Sequence, residues 1–148
     1  MAPPGRLPGR QHVDPIELPP RVLPNIVLLD VERHGHAPRF RFRLVGTALF
    51  PYFGREVTGA LYEEAVTSCT TALVRKAIET VVTAKHPVYL ETSATTTGCE
   101  FMRVKRLGLP LARNGETVDM ILGLLLPVRR PPGHTGNTGP EVMIPLDR

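Results

Sequence analysis

Cysteine is scarce in this 148-residue chain, which contains two, Cys69 and Cys99. Two cysteines are too few for a disulfide framework, and their neighbours do not provide the ligand spacing of a metal site. We therefore expect two unpaired, buried thiols without a redox role. The sequence predicts neither a disulfide-stabilised scaffold nor a bound metal.

Long apolar runs are also missing. No stretch of about 18 apolar residues occurs, so we expect no membrane-spanning helix and no membrane partner. The N-terminus reads MAPPGR and lacks the apolar stretch of a secretory signal. These two absences predict a cytoplasmic protein.

Charge of one sign is nowhere concentrated. The net charge is +4, from 18 lysines and arginines against 14 aspartates and glutamates, and no long block of like charges is present. An excess of arginine suits phosphate ligands, but acidic residues are interspersed with the basic ones through the middle of the chain. We expect a mildly basic, solvated surface, which argues against nucleic acid as the partner.

Proline divides the chain into regions. Many of the 16 prolines lie towards the two ends, so the ends are expected to be irregular and the middle folded. We predict a disordered lead over residues 1–13, one domain over residues 14–127 and a flexible tail over residues 128–148. The apolar segment Met143-Ile144-Pro145-Leu146 is interpreted as part of that tail.

The domain is expected to begin with a short helix. Asp14 can cap a helix, Pro15 fits the first helical position, and Glu17 stands three residues after the cap. The prolines between Pro19 and Pro24 limit this helix to about one or two turns. We predict that it packs on the domain as an N-terminal cap.

The most regular pattern is RFRFRLV at residues 39–45, in which arginine alternates with large apolar residues. Successive side chains of a strand point to opposite faces, so the alternation predicts a half-buried antiparallel strand. Burying three unpaired arginines would be prohibitive, so the phenylalanines are assigned to the core and the arginines to solvent. This facing also removes the exposed aromatic platform on which nucleic-acid bases would stack.

The other patterns predict four more strands and one long helix. Apolar residues recur every three or four positions from Glu63 to Lys85, which is typical of an amphipathic helix. Apolar residues in the longest strand change parity, which predicts a β-bulge near Lys105-Arg106. Asn114-Gly115 predicts a hairpin with a type I′ turn. The additional strands are expected over residues 26–32, 88–92, 100–112 and 117–126.

This order of elements resembles that of PAS domains. The resemblance is carried by Leu28-Leu29-Asp30-Val31, Phe40-Arg41-Phe42-Arg43-Leu44-Val45-Gly46-Thr47, Phe53-Gly54-Arg55-Glu56-Val57-Thr58-Gly59, Leu107-Gly108-Leu109-Pro110-Leu111 and Val118-Asp119-Met120-Ile121-Leu122-Gly123. Over residues 14–127 the chain is similar to a branch of short, stand-alone bacterial PAS proteins. The resemblance implies an α+β fold with a five-stranded antiparallel sheet, a helical crossover between strands 2 and 3, and the short N-terminal helix.

The resemblance further implies a non-catalytic sensory or signalling module, or a protein-interaction module. Either a small ligand occupies the space between sheet and crossover, or the protein's own side chains fill it, and both alternatives stay open here. No cofactor is identified by the sequence. The side chains expected around this space are Phe42, Leu44, Phe50, Phe53, Tyr62, Leu73, Ala77, Leu90 and Met120.

Patterns that would indicate catalysis or a prosthetic group are weak. Glu63 and Glu64 are adjacent and would not face each other on a helix, so they do not form an acid–base pair. The cysteines lack the Asn-Cys-Arg context of flavin-binding relatives, and His86 is interpreted as a surface residue and not as a haem ligand. We expect no enzymatic activity, so that any output passes through a partner or a dimer.

The outer face of the sheet is the expected site of partner contact. The resemblance implies a homodimer or a separate signalling partner there, whereas in a monomer the N-terminal residues would pack on their own sheet. The alternative function is a basic adaptor that binds phosphate or nucleic acid through the arginine face of residues 39–45. The interface candidates are Ile16, Leu18, Val22, Leu23, Arg39, Arg41 and Arg43.

Overall fold

Six strands form one antiparallel sheet in the computed structural model, which describes residues 6–65, 71–93, 102–129 and 142–145. The order across the sheet is β2-β1-β5-β4-β3-β6. No helix within these ranges is long and apolar enough to cross a membrane. The elements are β1 (Ile26–Glu32), β2 (Arg39–Val45), α1 (Phe50–Phe53), α2 (Tyr62–Ala65), α3 (Thr71–Ala84), β3 (Val88–Ser93), β4 (Met102–Leu111), β5 (Met120–Arg129) and β6 (Val142–Pro145), with 3-10 turns at Arg10–His12, Leu23–Asn25 and Thr47–Leu49.

The predicted five-stranded sheet with its helical crossover is confirmed. β1 and β2 form the first hairpin, the three helices follow, and β3, β4 and β5 form a meander. β5 also pairs with β1, which joins the hairpin and the meander into one sheet. Part of the predicted long helix (residues 66–70) and both cysteines, Cys69 and Cys99, lie outside the described residues.

β2 has the predicted facing in its first half and a bulge in its second half. Phe40 is 0% exposed and Phe42 3% exposed, so both rings are in the core. The register with β1 then shifts at Arg43, which has no partner of its own in the pairing. The bulge turns Leu44 to the outer face, where it is 44% exposed, and packs Val45 against the core instead.

β4 pairs with β3 and β5 in an unbroken register, so the bulge predicted near Lys105-Arg106 is wrong. The change of parity in the sequence has another cause, since this part of the sheet carries apolar side chains on both faces. Val104 is buried on the inner face, whereas Leu109 alternates to the outer face. The same register directs Arg106 towards the inner face.

The described part of the N-terminal segment contacts the β4–β5 connection, although the sequence predicts a disordered lead over residues 1–13. The amide of Leu7 donates to the carbonyl of Gly115 at 2.9 Å. Further along, the amide of Ile16 donates to Asp14 Oδ1 at 2.9 Å. Asp14 therefore caps a hydrogen-bonded turn, and the closely spaced prolines that follow prevent the predicted short helix from forming at this position.

Two strands extend beyond the predicted domain boundary. β5 continues through Pro127, which pairs with Val104, and ends at Arg129. β6 pairs antiparallel with β3 at the edge of the sheet. The described parts of the region expected to be a flexible tail are therefore strands, because the apolar β6 segment satisfies backbone groups that an uncovered β3 edge would expose.

The β4–β5 connection contains Asn114-Gly115, as predicted, but its turn is not type I′. Gly115 has a φ of 83°, whereas Asn114 does not adopt a positive φ. The side chain of Asn114 accepts hydrogen bonds from the amides of Glu116 and Thr117, at 2.9 and 2.8 Å. An Asx-type turn therefore replaces the two-residue turn.

α3 lies on the inner face of the sheet. Its buried residues Val74, Ala77 and Val81 recur at spacings of three and four, which places them on one side of the helix. The helix is closed by Lys85, which has a φ of 58° and whose amide donates to the carbonyl of Val81 at 3.1 Å. The space between this helix and the sheet holds the candidate site.

Candidate ligand-binding site

A cavity of about 70 Å³ lies between α3 and the inner face of the sheet. Side chains in protein interiors pack closely and leave few voids larger than a water molecule. This cavity is about five times the minimum that one water needs, so it is a departure from ordinary core packing. Its walls come from β1 to β5 and from α1, α2 and α3. They comprise Val27, Leu29, Phe42, Phe53, Tyr62, Val74, Ala77, Ile78, Val81, Val88, Leu90, Arg106, Leu107, Gly108, Ile121, Gly123 and Leu125.

Two glycines paired across β4 and β5 form part of the cavity wall. Gly108 lies opposite Gly123 in the register. A methyl group at Gly108 would lie 3.2 Å from Cγ2 of Val81, so the missing side chain lets α3 approach the sheet closely. A methyl group at Gly123 would meet its nearest neighbouring atom at 3.6 Å, an ordinary contact, and would take up cavity volume instead of displacing the structure.

Aromatic rings line one side of the cavity. Phe42 of β2 meets Phe53 of α1 edge-on with the ring centroids 5.4 Å apart, and it stacks on Tyr62 of α2 at 6.3 Å. Tyr52 packs edge-on against Phe53 at 5.0 Å. These contacts hold the short crossover helices against the sheet, because each aromatic pair adds to the burial of the two rings.

Arg106 brings a positive charge to this apolar wall. Its Nη2 donates to the hydroxyl of Tyr52 at 2.7 Å, and its Nε donates to Oγ1 of Thr92 at 3.4 Å. Among the described residues no carboxylate pairs with it. Arg75 of α3 differs, since its Nε lies 3.0 Å from Oε1 of Glu79. The charge of Arg106 is therefore oriented by neutral hydroxyl groups and is not neutralised by them.

The hydroxyl of Tyr62 is a second polar group in the wall. Tyr62 is 4% exposed, and its hydroxyl is buried without a hydrogen-bond partner in the described part of the chain. Burial raises the pKa of Tyr62 to about 12, while the nearby positive charge of Arg106 acts in the opposite direction. A buried hydroxyl that makes no hydrogen bond is costly, so this group is a ready donor to a molecule in the cavity.

Five of the nine side chains expected from the sequence lie in the cavity wall: Phe42, Phe53, Tyr62, Ala77 and Leu90. They come from β2, the crossover helices and β3, the elements whose facing the sequence patterns determine best. Because the cavity lies under α3, these residues meet although they are far apart in the sequence.

The other four expected residues lie elsewhere. Leu44 is turned outward by the bulge in β2, and Phe50 is 53% exposed at the start of α1. Leu73 packs at the margin of the core and does not reach the cavity. Met120 has the opposite parity to Ile121, which is the residue of β5 that faces the cavity.

The wall residues that sequence reasoning missed include Arg106, Gly108 and Gly123. A signal for the inner face of β4 was present, because Arg106 shares the parity of Val104 and of the glycine that follows. Leu107, Leu109 and Leu111 have the other parity, so they made the opposite face of β4 look like the inner face. Gly123 interrupts an otherwise apolar strand, and an isolated glycine in a strand often marks the close approach of another element or a ligand.

Two of the three arginines on the outer face of β2 are paired with carboxylates of β1. Arg41 contacts both carboxylate oxygens of Glu32 through Nε, at 3.1 and 3.2 Å, and this bond lowers the pKa of Glu32. Nη1 of Arg43 lies 3.5 Å from Oδ2 of Asp30. Arg39 is exposed and has no ion pair within the described residues. A face with two paired guanidinium groups does not favour the phosphate-binding or nucleic-acid-binding alternative.

The apolar interface candidates are divided between two environments. Leu18 and Val22 are half-buried, while Ile16 is 90% exposed and Leu23 is 36% exposed. A second hollow of about 370 Å³ lies between the N-terminal segment, the end of α3 and the β4–β5 hairpin. It is lined by Leu7, Pro8, Val13, Lys85, His86, Pro87, Leu109, Pro110, Leu111 and Leu122. The N-terminal region therefore packs partly on its own sheet and leaves Ile16 available for other contacts.

No group of three or more histidine, cysteine, aspartate or glutamate side chains in the described ranges could hold a metal ion.

A family model described as PAS domain matches residues 3–126, and no curated protein matches the chain significantly. PAS domains are in general non-catalytic sensory or interaction modules. Because the match covers most of the chain and the five core strands have the expected order and crossover, the chain belongs to the PAS domain family.

Proposed function

We propose that this protein is a sensory module that binds a small molecule in the cavity between α3 and the sheet. The observation that carries the proposal is the cavity itself, about 70 Å³ in volume and lined by apolar side chains with Arg106 and Tyr62 among them. Apolar walls with a few polar groups that converge are typical of small-molecule sites. A core filled by side chains at ordinary density leaves few voids of this size, and buried hydroxyl groups normally have a hydrogen-bond partner, which the Tyr62 hydroxyl lacks among the described residues.

Native mass spectrometry of protein purified from its own host, followed by denaturation, tests this proposal. A released small molecule with defined stoichiometry is the expected result. The matched variant is Gly123→Ala, whose methyl group would take up cavity volume without a close contact. Release of the same amount from this variant, or no release from either protein, would contradict binding in the cavity.

A second candidate function is partner binding through the outer face of the sheet, and the occupant that we propose is a second copy of the chain. Two cross-strand rows of apolar side chains cross this face. The pairings place Leu44, Leu28, Leu122 and Leu109 in one row, and Leu124, Leu107, Tyr89 and Ile144 in the next. Leu28 is buried and Leu109 and Leu122 lie beside the N-terminal segment, whereas Leu44 and Ile144 are 44% and 45% exposed at the two ends of these rows. Exposed apolar groups mark contact surfaces when they are contiguous.

The oligomeric state tests this second candidate. Leu126 is 40% exposed and Val128 is 46% exposed on β5, so the double variant Leu126→Glu, Val128→Glu should shift a dimer to monomer in sedimentation equilibrium. Phe50, which is 53% exposed on α1 and away from the sheet face, supplies the control variant Phe50→Glu. A wild-type monomer at high concentration, or equal dissociation by the control, would contradict the proposal.

A further inference from the structure

The polar groups of the cavity restrict the chemistry of its ligand. The wall contains one guanidinium group, Arg106, and one buried hydroxyl without a partner in the described residues, Tyr62. The remaining wall is apolar. The ligand that fits must therefore combine an apolar body with a group that accepts hydrogen bonds from a cation and from a hydroxyl.

An anionic group satisfies both donors at once. A guanidinium presents five N–H donors in a fixed plane and matches the two oxygens of a carboxylate. Arg106 uses two of its nitrogens in contacts to Tyr52 and Thr92 and has further N–H groups to offer. Neither contact supplies a negative charge, so in the described residues the charge of Arg106 has no carboxylate partner.

Ligands of other charge fit the same groups poorly. A cationic ligand would be repelled by Arg106 across an apolar cavity, where charges interact more strongly than in water. A neutral hydrocarbon would leave the hydroxyl of Tyr62 unpaired. A dianion would bring two charges to a wall that offers one cation.

The cavity volume limits the size of the apolar body. One water needs about 10–15 Å³ by this measure of volume. A cavity of about 70 Å³ therefore holds about five to seven non-hydrogen atoms beneath its mouth. A carboxylate with four or five carbons in all, and therefore about six or seven non-hydrogen atoms, has about this size.

We propose that the cavity binds a short-chain monocarboxylate, held by Arg106 and the Tyr62 hydroxyl at its carboxylate and by the apolar wall at its chain. Tyr52 acts as a positioning residue, because its hydroxyl accepts a hydrogen bond from Arg106 at 2.7 Å and fixes the guanidinium plane. This inference rests on the proposed function, since it assigns a chemical class to the ligand of the same cavity.

A titration of the ligand-stripped full chain with three probes tests the inference. Pentanoate is the expected ligand, pentanamide has the same number of non-hydrogen atoms without the charge, and inorganic phosphate has charge without an apolar body. Chemical-shift changes at the methyl groups of Val81 and Ile121, which line the cavity, report binding at this site. Pentanoate is expected to bind about ten- to hundredfold more tightly than pentanamide, because a hydrogen bond between charged groups contributes more binding free energy than one to a neutral amide.

Variants assign the discrimination to the named groups. Arg106→Gln should abolish the preference for pentanoate over pentanamide, and Tyr62→Phe should reduce pentanoate affinity about tenfold. Arg106→Lys keeps the charge and should retain part of the preference. The control is Lys105→Gln, which removes a positive charge from the next residue on the exposed outer face and should leave the preference unchanged.

The outcomes separate this inference from the proposed function. Equal affinity for pentanoate and pentanamide, with shifts at the cavity methyl groups, would overturn the monocarboxylate inference and leave small-molecule binding in place. Binding of phosphate as tight as that of pentanoate, or an equal effect of Lys105→Gln and Arg106→Gln, would also overturn it. Absence of cavity shifts with every probe would overturn the inference, and the lack of a released ligand in native mass spectrometry would then overturn the proposed function independently.

Discussion

Replacing Tyr62 with phenylalanine should leave the ligand-free protein as stable as before or make it more stable. The substitution removes one hydroxyl that is buried without a partner in the described structure and keeps the ring that stacks on Phe42. A buried polar group without a hydrogen bond costs about 1–3 kcal/mol. Since the ring contacts and the buried apolar area stay, we expect the free energy of unfolding to change by about 0 to +2 kcal/mol.

The same chemical change at Tyr52 should have the opposite sign. The hydroxyl of Tyr52 accepts a hydrogen bond from Arg106 at 2.7 Å, so Tyr52→Phe removes a charge-assisted bond and should destabilise the protein by about 1–2 kcal/mol. Urea unfolding followed by far-UV circular dichroism measures both variants, because the chain has no tryptophan for a fluorescence signal. A loss above about 1 kcal/mol in Tyr62→Phe would refute the reasoning, since it would show that the hydroxyl is satisfied.

The pH dependence gives an independent check on Tyr62. Its pKa is raised from 10 to about 12 in the folded protein, so between these values the unfolded chain releases a proton that the folded protein retains. Stability should therefore fall as the pH rises from 10 towards 12, by about 3 kcal/mol for a shift of this size. Tyr62→Phe should lack this part of the alkaline loss, and an unchanged alkaline profile would contradict the assigned burial.

Two further predictions concern β2. Phe42→Ala should destabilise the protein by about 3–5 kcal/mol in urea unfolding, because the ring is core, whereas Leu44→Ala on the outer face should cost clearly less; equal costs would refute the facing. Glu32→Gln should destabilise at neutral pH and lose its effect in acid. The pKa of Glu32 is lowered from 4.5 by the hydrogen bond from Arg41, so this stabilisation is present above 4.5 and is lost as the pH falls through the lowered pKa. A constant difference between Glu32→Gln and wild type across that range would contradict the pairing.

Sequence patterns predicted the elements of this fold where one face of an element is clearly polar. The alternation in residues 39–45 predicted the facing of Phe40 and Phe42 because arginines would not be buried unpaired. The spacing in α3 predicted which side packs on the sheet. In both elements, the polar residues excluded the wrong orientation.

The patterns failed where a strand is apolar on both faces. In β5, Met120, Ile121 and Leu122 follow one another, so periodicity contains no information on which of them faces the cavity. The bulge at Arg43 was missed for a related reason, because Leu44 and Val45 are both apolar and either could continue the inner face. Register in such strands is set by pairing with distant strands, which a single sequence does not display.

Arg106, near which the sequence pattern predicted a bulge, is also the positively charged residue of the cavity wall. Arg106 lies between Lys105 and Leu107 in the sequence, and an apolar inner face is an unfavourable place for an arginine. A protein that needed this position only for packing would be more stable with an aliphatic residue there. Arg106 instead has Tyr52 to orient it, Tyr62 in the same cavity wall with its hydroxyl unpaired among described residues, and glycines that leave room beside it. Departures from local rules concentrate at functional sites, and these departures in one small cavity are the reason for which we propose that it binds a ligand.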